Sequence, residues 1–170
     1  CIDPELIRRM QEADLTCVNL EFCMSDRGMP MEGKKYTFRA KPERVEILKE
    51  LGVDLANLAN NHIYDYGTDA FLDTLDILDA GGIAHAGAGK NAVEAEEPFY
   101  AEIDGRTVAA VSATRAEKYI LTPEADEDNP GVFRCYDMAK VLQKVQERKE
   151  KADFVIAYIH WGTEYSETLE

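Results

Sequence analysis

Apolar residues along this chain alternate between helical spacing and short continuous runs, the pattern of helices interleaved with strands. "PELIRRMQEAD" places Leu6, Ile7 and Met10 on one helical face, with Pro4 near its start. "LTCVNLE" follows as a short apolar strand. Residues 24–41 are rich in Gly, Pro and charge and read as an excursion, with a hairpin as its expected form. "PERVEILKELG" is a second helix, opened by Pro42 and closed by Gly52, and "VDLANLA" is the strand after it.

The second half continues in the same way. Thr68 is the expected cap of "DAFLDTLDILDAGG", with Phe71, Leu75 and Leu78 on one face and Gly81 as the C-terminal stop. "IAHAGAG" reads as one short strand, and Asp104-Gly105 between two apolar runs is a hairpin signal. Residues 115–136 form a long acidic loop. Asp137 caps a helix whose Met138, Val141, Leu142 and Val145 face inward, and "FVIAYIH" has the continuous apolar run of a strand covered on both faces. Strands separated by helices indicate an α/β fold, with ligands expected at the carboxyl ends of the strands.

Composition narrows the function classes. A formal net charge of −14 over 170 residues argues against nucleic acid as a partner, since phosphates require a clustered basic surface. No apolar run approaches the roughly 20 residues of a membrane span. The chain lacks an initiator Met and ends just past an apolar run, so it reads as part of a longer protein. The four cysteines show no C-x-x-C spacing and impose no zinc knuckle or disulfide framework; Cys17, in an apolar stretch, is expected in the core.

Three strand ends carry candidate chemistry: "NLE", "NNH" and "HWG". Glu21 offers carboxylate oxygens, Asn61 an amide carbonyl, and His62 and His160 imidazole nitrogens, all ligand types for a hard or borderline cation. A single Asn or Glu after a strand is ordinarily a loop cap, and a lone His ordinarily a structural residue. Parallel neighbours would bring all three ends to one edge, which is why the set outweighs its members. His85 lacks acidic or amide neighbours in sequence and is expected to be structural or at the surface.

"ADLTCVNLE", "LANNHIYDYG", "FLDTLDILDAGGIAHAGAG" and "VIAYIHWGTEY" resemble the successive motifs of the capsule-synthesis (CapA-like) poly-gamma-glutamate family, related to the calcineurin-like metallophosphoesterases. The resemblance runs almost end to end, as one partial domain over residues 1–170. It implies an α/β/β/α sandwich truncated at both ends. It places Glu21, Asn61 and His160 as metal ligands, His62 as the residue facing a leaving or phosphoryl oxygen, and Asp65 as its orienter. Divalent ions (Mn, Fe or Zn) in a dinuclear site are the implied cofactor. An upstream Gly-Asp strand end and a Gly-x-His-x-His motif of the family are absent, so this chain alone is expected to bind metal weakly and catalyse little.

The implied biology is capsule or poly-gamma-glutamate production by a membrane-anchored protein on the outer side of the cell envelope, with membrane-bound synthesis components as partners. The alternative is a metal-dependent phosphoesterase or other hydrolase. An anionic polymer would be repelled at long range by this net charge, so local cations must offset it. Lys34, Lys35 and Arg39 in "GKKYTFR", with Arg115, are the candidates. Trp161, Glu164 and Tyr165 flank His160 as candidate cleft walls, and residues 114–131 are a candidate lid. "GAGK" lacks the first Gly and the Ser or Thr of a phosphate loop, and "EADEDNPG" lacks EF-hand spacing.

Overall fold

The structure, a computed structural model, describes residues 2–115 and 121–162. Helix α1 (Pro4–Glu12) starts on Asp3, whose carboxylate accepts the Glu5 N–H at 2.7 Å. Strand β1 (Cys17–Asn19) follows, then β2 (Cys23–Met24) and β3 (Arg39–Ala40). A 3₁₀ turn at Pro42–Arg44 runs into α2 (Val45–Glu50), β4 (Leu55–Asn57) and α3 (Gly67–Gly81). The chain continues through β5 (Ala84–Ala86), β6 (Ala88–Gly89) and α4 (Ala92–Ala95). Last come β7 (Phe99–Ile103), β8 (Arg106–Thr114), β9 (Gly131–Val132), α5 (Met138–Lys149) and β10 (Phe154–His160).

Two three-stranded sheets form the centre. One is parallel in the order β1-β4-β5; the other, β10-β8-β7, pairs β10 parallel and β7 antiparallel to β8. Alternation along the strands decides which residues meet. Leu55, Ala84 and Ala86 pack against Phe99 and Ala110 between the sheets. One residue on, Ala56 faces α2 and α3, joining Val45, Leu48, Phe71, Leu75 and Leu78 in the largest core. Val111 and Ala113 face α5, where Val141 is buried and Val145 partly so. Helices therefore cover the outer faces of two stacked sheets, the α/β/β/α order that the resemblance implies.

Several local expectations are met. Asp137 caps α5 by accepting the Ala139 N–H at 2.9 Å. Asp104 (φ 50°) and Gly105 (φ 71°) form the turn of the β7–β8 hairpin, both in the positive-φ region that a two-residue turn of this hand requires.

Others are corrected by packing. The excursion over residues 24–41 is no hairpin, because β2 and β3 pair in parallel and the chain must loop round between them. Thr68 is not the cap of α3: the helix starts at Gly67, and the Thr68 hydroxyl sits 2.6 Å from the Tyr64 hydroxyl. The left-handed stop is Gly82 (φ 72°), one residue past Gly81. "IAHAGAG" is two strands, broken at Gly87 (φ 84°), where an added Cβ would lie 2.5 Å from that of Ala59. Strand β10 lies at its sheet's edge with Phe154 and Ile156 exposed, so it is not covered on both faces. Met138 and Leu142 are exposed, as is Leu6 on α1, and Cys17 on edge strand β1 is exposed instead of core.

Candidate functional site

The carboxyl ends of β1, β4 and β10 meet at one place, and asparagines build the junction. Asn19 and Asn57 are register partners across β1 and β4, and Asn57 Nδ2 donates to Asn19 Oδ1 at 2.9 Å. Asn60, fully buried, ties the next turn to them. Its amide donates to the Leu20 carbonyl (2.9 Å) and to Asn19 Oδ1 (3.2 Å), and accepts the N–H groups of His62 and Ile63, each at 3.0 Å. Every polar atom of that amide is used, so Asn60 is a structural clamp.

Asn61 is placed differently. Its backbone carbonyl accepts from the Lys34 ammonium and, at 3.1 Å, from the Thr122 hydroxyl. Its side-chain Oδ1 lies 3.0 Å from His160 Nε2. Glu21 Oε1 is 3.9 Å from the same His160 nitrogen and 4.0 Å from His62 Nε2, while Glu21 Oε2 accepts from Asn19 Nδ2 at 2.7 Å. The His160 carbonyl is held by the Thr114 hydroxyl (3.0 Å) and the Arg115 N–H (2.9 Å). Glu21, Asn61, His62 and His160 are thus brought together.

His62 is held by partners of its own. Its Nδ1 is 2.7 Å from Asp65 Oδ2, which also accepts the Phe38 N–H at 2.6 Å, and the Phe38 ring packs 4.3 Å from the imidazole. Lys34 Nζ is 2.7 Å from Asp65 Oδ1, in a pair whose side chains are 5% and 0% exposed. Burial pulls the His160 imidazole below its ordinary value, His62 adds to this, and Glu21 opposes it. A neutral imidazole is the form that ligates a metal.

The donors can be tested for fit to a cation. Bonds of about 2.0–2.2 Å to one ion set its ligand atoms roughly 3–4 Å apart. His160 Nε2 lies 3.0 Å from Asn61 Oδ1 and 3.9 Å from Glu21 Oε1, both within that range. Among the described residues, no three His, Cys, Asp or Glu side chains could hold an ion by themselves. The amide of Asn61 is therefore needed, and the set fits part of a coordination sphere.

The remaining candidates scatter. Lys34 is buried and committed to Asp65 and Asn61, unlike its exposed neighbour Lys35, which lies 4.9 Å from the Tyr36 ring. Arg39 is exposed and stacks 4.3 Å over Tyr66, Arg115 is exposed beside His160, and Trp161 is 51% exposed. Glu164, Tyr165 and residues 116–120 of the candidate lid lie outside the described residues. His85 sits away from the cluster, 3.2 Å from Asp79, an acidic neighbour six residues back. Thr122 and the Asn19–Asn57–Asn60 network were missed by the sequence reading. The recurrence of Asn in "VNLE" and "LANLANNH" is the signal that could have found the latter.

With this geometry in place, comparisons with known proteins are informative. The profile of the bacterial capsule synthesis protein PGA_cap matches residues 4–170. The capsule biosynthesis protein CapA of Bacillus anthracis is 32% identical over 135 residues, covering 78% of this chain and 32% of that protein. The PGA biosynthesis protein CapA of Bacillus subtilis is 30% identical over 133 residues, covering 78% and 34%. The chain thus spans about a third of the length of these relatives. In fold it is similar to the NAD nucleotidase of Haemophilus influenzae, with a TM-score of 0.51 at 14% identity, over 72% of this chain and 22% of that one.

Proposed function

The chain belongs to the bacterial capsule synthesis protein family, and from that premise we propose that it carries the metallophosphatase-like part of a protein serving capsule or poly-gamma-glutamate production. In this reading the whole protein binds or exports an anionic polymer at the outer side of the cell envelope, anchored by a segment outside this chain and working with membrane-bound synthesis components. The observation that carries the reading is the convergence of Glu21, Asn61 and His160 from three strand ends.

Those three side chains are the ones to hold a divalent ion, Mn, Fe or Zn, with further donors completing a dinuclear centre. Such an ion supplies Lewis-acid charge at the strand ends. The protein's own groups supply orientation and proton handling. His62 Nδ1–H donates to Asp65, which fixes the ring and leaves Nε2 facing Glu21. That orientation places Nε2 where it can exchange a proton with an oxygen beside Glu21. Lys34 anchors Asp65 from the far side, and Phe38 shields the imidazole from water.

That His62–Asp65–Lys34 arrangement favours a second reading, a metal-dependent phosphoesterase or other hydrolase, since a binding scaffold has no need to orient an imidazole at a donor cluster. Hydrolysis of a generic phosphodiester with added manganese separates the two. Turnover that falls by about 10²-fold or more in His62→Ala supports the hydrolase. Polymer binding that survives chelation of metal, with no turnover, supports the accessory role; absence of both turnover and polymer binding contradicts the proposal.

A further inference from the structure

We propose that a cleft between β3 and α2 is a second binding site, taking a ligand that carries several carboxylates along an aliphatic chain; its ligand class rests on the polymer reading above. The cleft has a volume of about 470 Å³ and is lined by Phe22, Arg39, Lys41, Arg44, Ile47 and Leu48, with Ala40 between. That volume suits a ligand of small-molecule size, more than a single inorganic anion fills.

The chain holds 33 acidic and 19 basic residues, so a cation without a carboxylate partner is unexpected anywhere on it. Most cations elsewhere are in fact paired: Arg8 and Arg9 with Glu5, Arg27 with Asp73, Lys90 with Asp76, and Lys140 and Lys144 with Glu96. Arg39, Lys41 and Arg44 gather around one cavity, and none pairs with a carboxylate among the described residues. The nearby Glu46 is engaged by Lys49 at 2.9 Å. Three exposed cations against Glu43, the one carboxylate set between Lys41 and Arg44 in sequence, leave a local excess of positive charge that draws an anion.

The lining between these cations is apolar. Phe22, Ile47 and Leu48 give the cleft an apolar floor, and Ile47 is 39% exposed. A compact phosphate gains nothing from such a floor, whereas methylene groups between carboxylates do. Guanidinium groups at Arg39 and Arg44 match carboxylates in two-point contact. Phe22 follows Glu21 directly and Arg39 follows Phe38, whose ring packs on His62. Phe38 flanks β3 and Arg39 begins it, so strand alternation turns their side chains to opposite faces. The cleft and the strand-end cluster therefore back onto the same short β2–β3 ribbon.

The test is fluorescence anisotropy with a labelled γ-linked glutamate decamer at low salt. It uses the protein, a Lys41→Ala/Arg44→Ala variant, and a Lys149→Ala/Lys151→Ala variant that removes the same charge at the end of α5. Every variant is checked for fold by circular dichroism. The cleft variant is expected to bind about tenfold more weakly, the α5 control to bind as the parent does, and Arg44→Lys to lose part of the affinity, since an ammonium keeps the charge but not the two-point contact. Equal binding by parent and cleft variant overturns the cleft and leaves the polymer reading standing. No binding by the parent overturns the polymer reading, and the ligand class assigned to the cleft falls with it. Displacement of the decamer by inorganic tripolyphosphate at lower concentration than by unlabelled decamer overturns the carboxylate assignment.

Discussion

His160 Nε2 and Asn61 Oδ1 stand 3.0 Å apart although 99 residues separate them in the chain. One ends an edge strand of the second sheet and the other follows the central strand of the first. The sandwich, not local sequence, makes them neighbours, and Glu21 completes the group from β1's end. The contrast between Asn60 and Asn61 is equally informative: adjacent amides, one spent on the backbone and one turned to the cluster.

That contrast is testable by stability. Asn60→Ala removes two donated and two accepted hydrogen bonds at a fully buried position, leaving the Leu20 carbonyl and two N–H groups without their partner. A loss of roughly 2–4 kcal/mol is expected in urea denaturation. Asn61→Ala is expected to cost under about 1 kcal/mol, since its backbone contacts persist. Equal losses would mean that both amides are structural.

The Asp65–Lys34 pair offers a second test. Asp65→Asn keeps the side-chain shape but removes the negative charge 2.7 Å from a buried ammonium. Removing one member of a buried pair typically costs about 3–5 kcal/mol, whereas removing both can be nearly neutral. The double variant Lys34→Met/Asp65→Asn is therefore expected to be more stable than Asp65→Asn alone. If the double variant is the less stable of the two, the pair is not what holds this loop.

A third expectation concerns acid. The Arg27 guanidinium holds Asp73 below its usual carboxylate range, helped by the Ser25 hydroxyl and opposed by burial. Because the folded value is depressed, this contribution is fully present above the unfolded value near 3.8 and is lost as pH falls through the folded one. Asp73→Asn should lower Tm by about 1–3 °C at pH 7, and the difference should shrink below about pH 4. A difference that persists unchanged in acid would assign the effect to packing.

The sequence made the strand-end motifs legible because each is local: an apolar run stopped by Glu, Asn or His. Helix faces such as Phe71, Leu75 and Leu78 were readable for the same reason. What failed depends on which neighbour covers an element. The apolar run of β10 looks like that of a central strand, yet Phe154 and Ile156 are exposed, and among the described residues β10 pairs with β8 alone. Lys34 reads as a surface cation in "GKKY", but the excursion folds back and buries it against Asp65. The parallel β2–β3 pair leaves no turn signature, since its strands are joined by a long loop and not a tight turn.

The central claim is that the strand ends hold a divalent cation through Asn61 as well as Glu21 and His160. Calorimetric titration of manganese into the protein and into its Asn61→Ala variant tests this most directly. Binding that weakens about tenfold or more in the variant, with its fold intact, is the expected result. Manganese binding of equal strength in both proteins would contradict it.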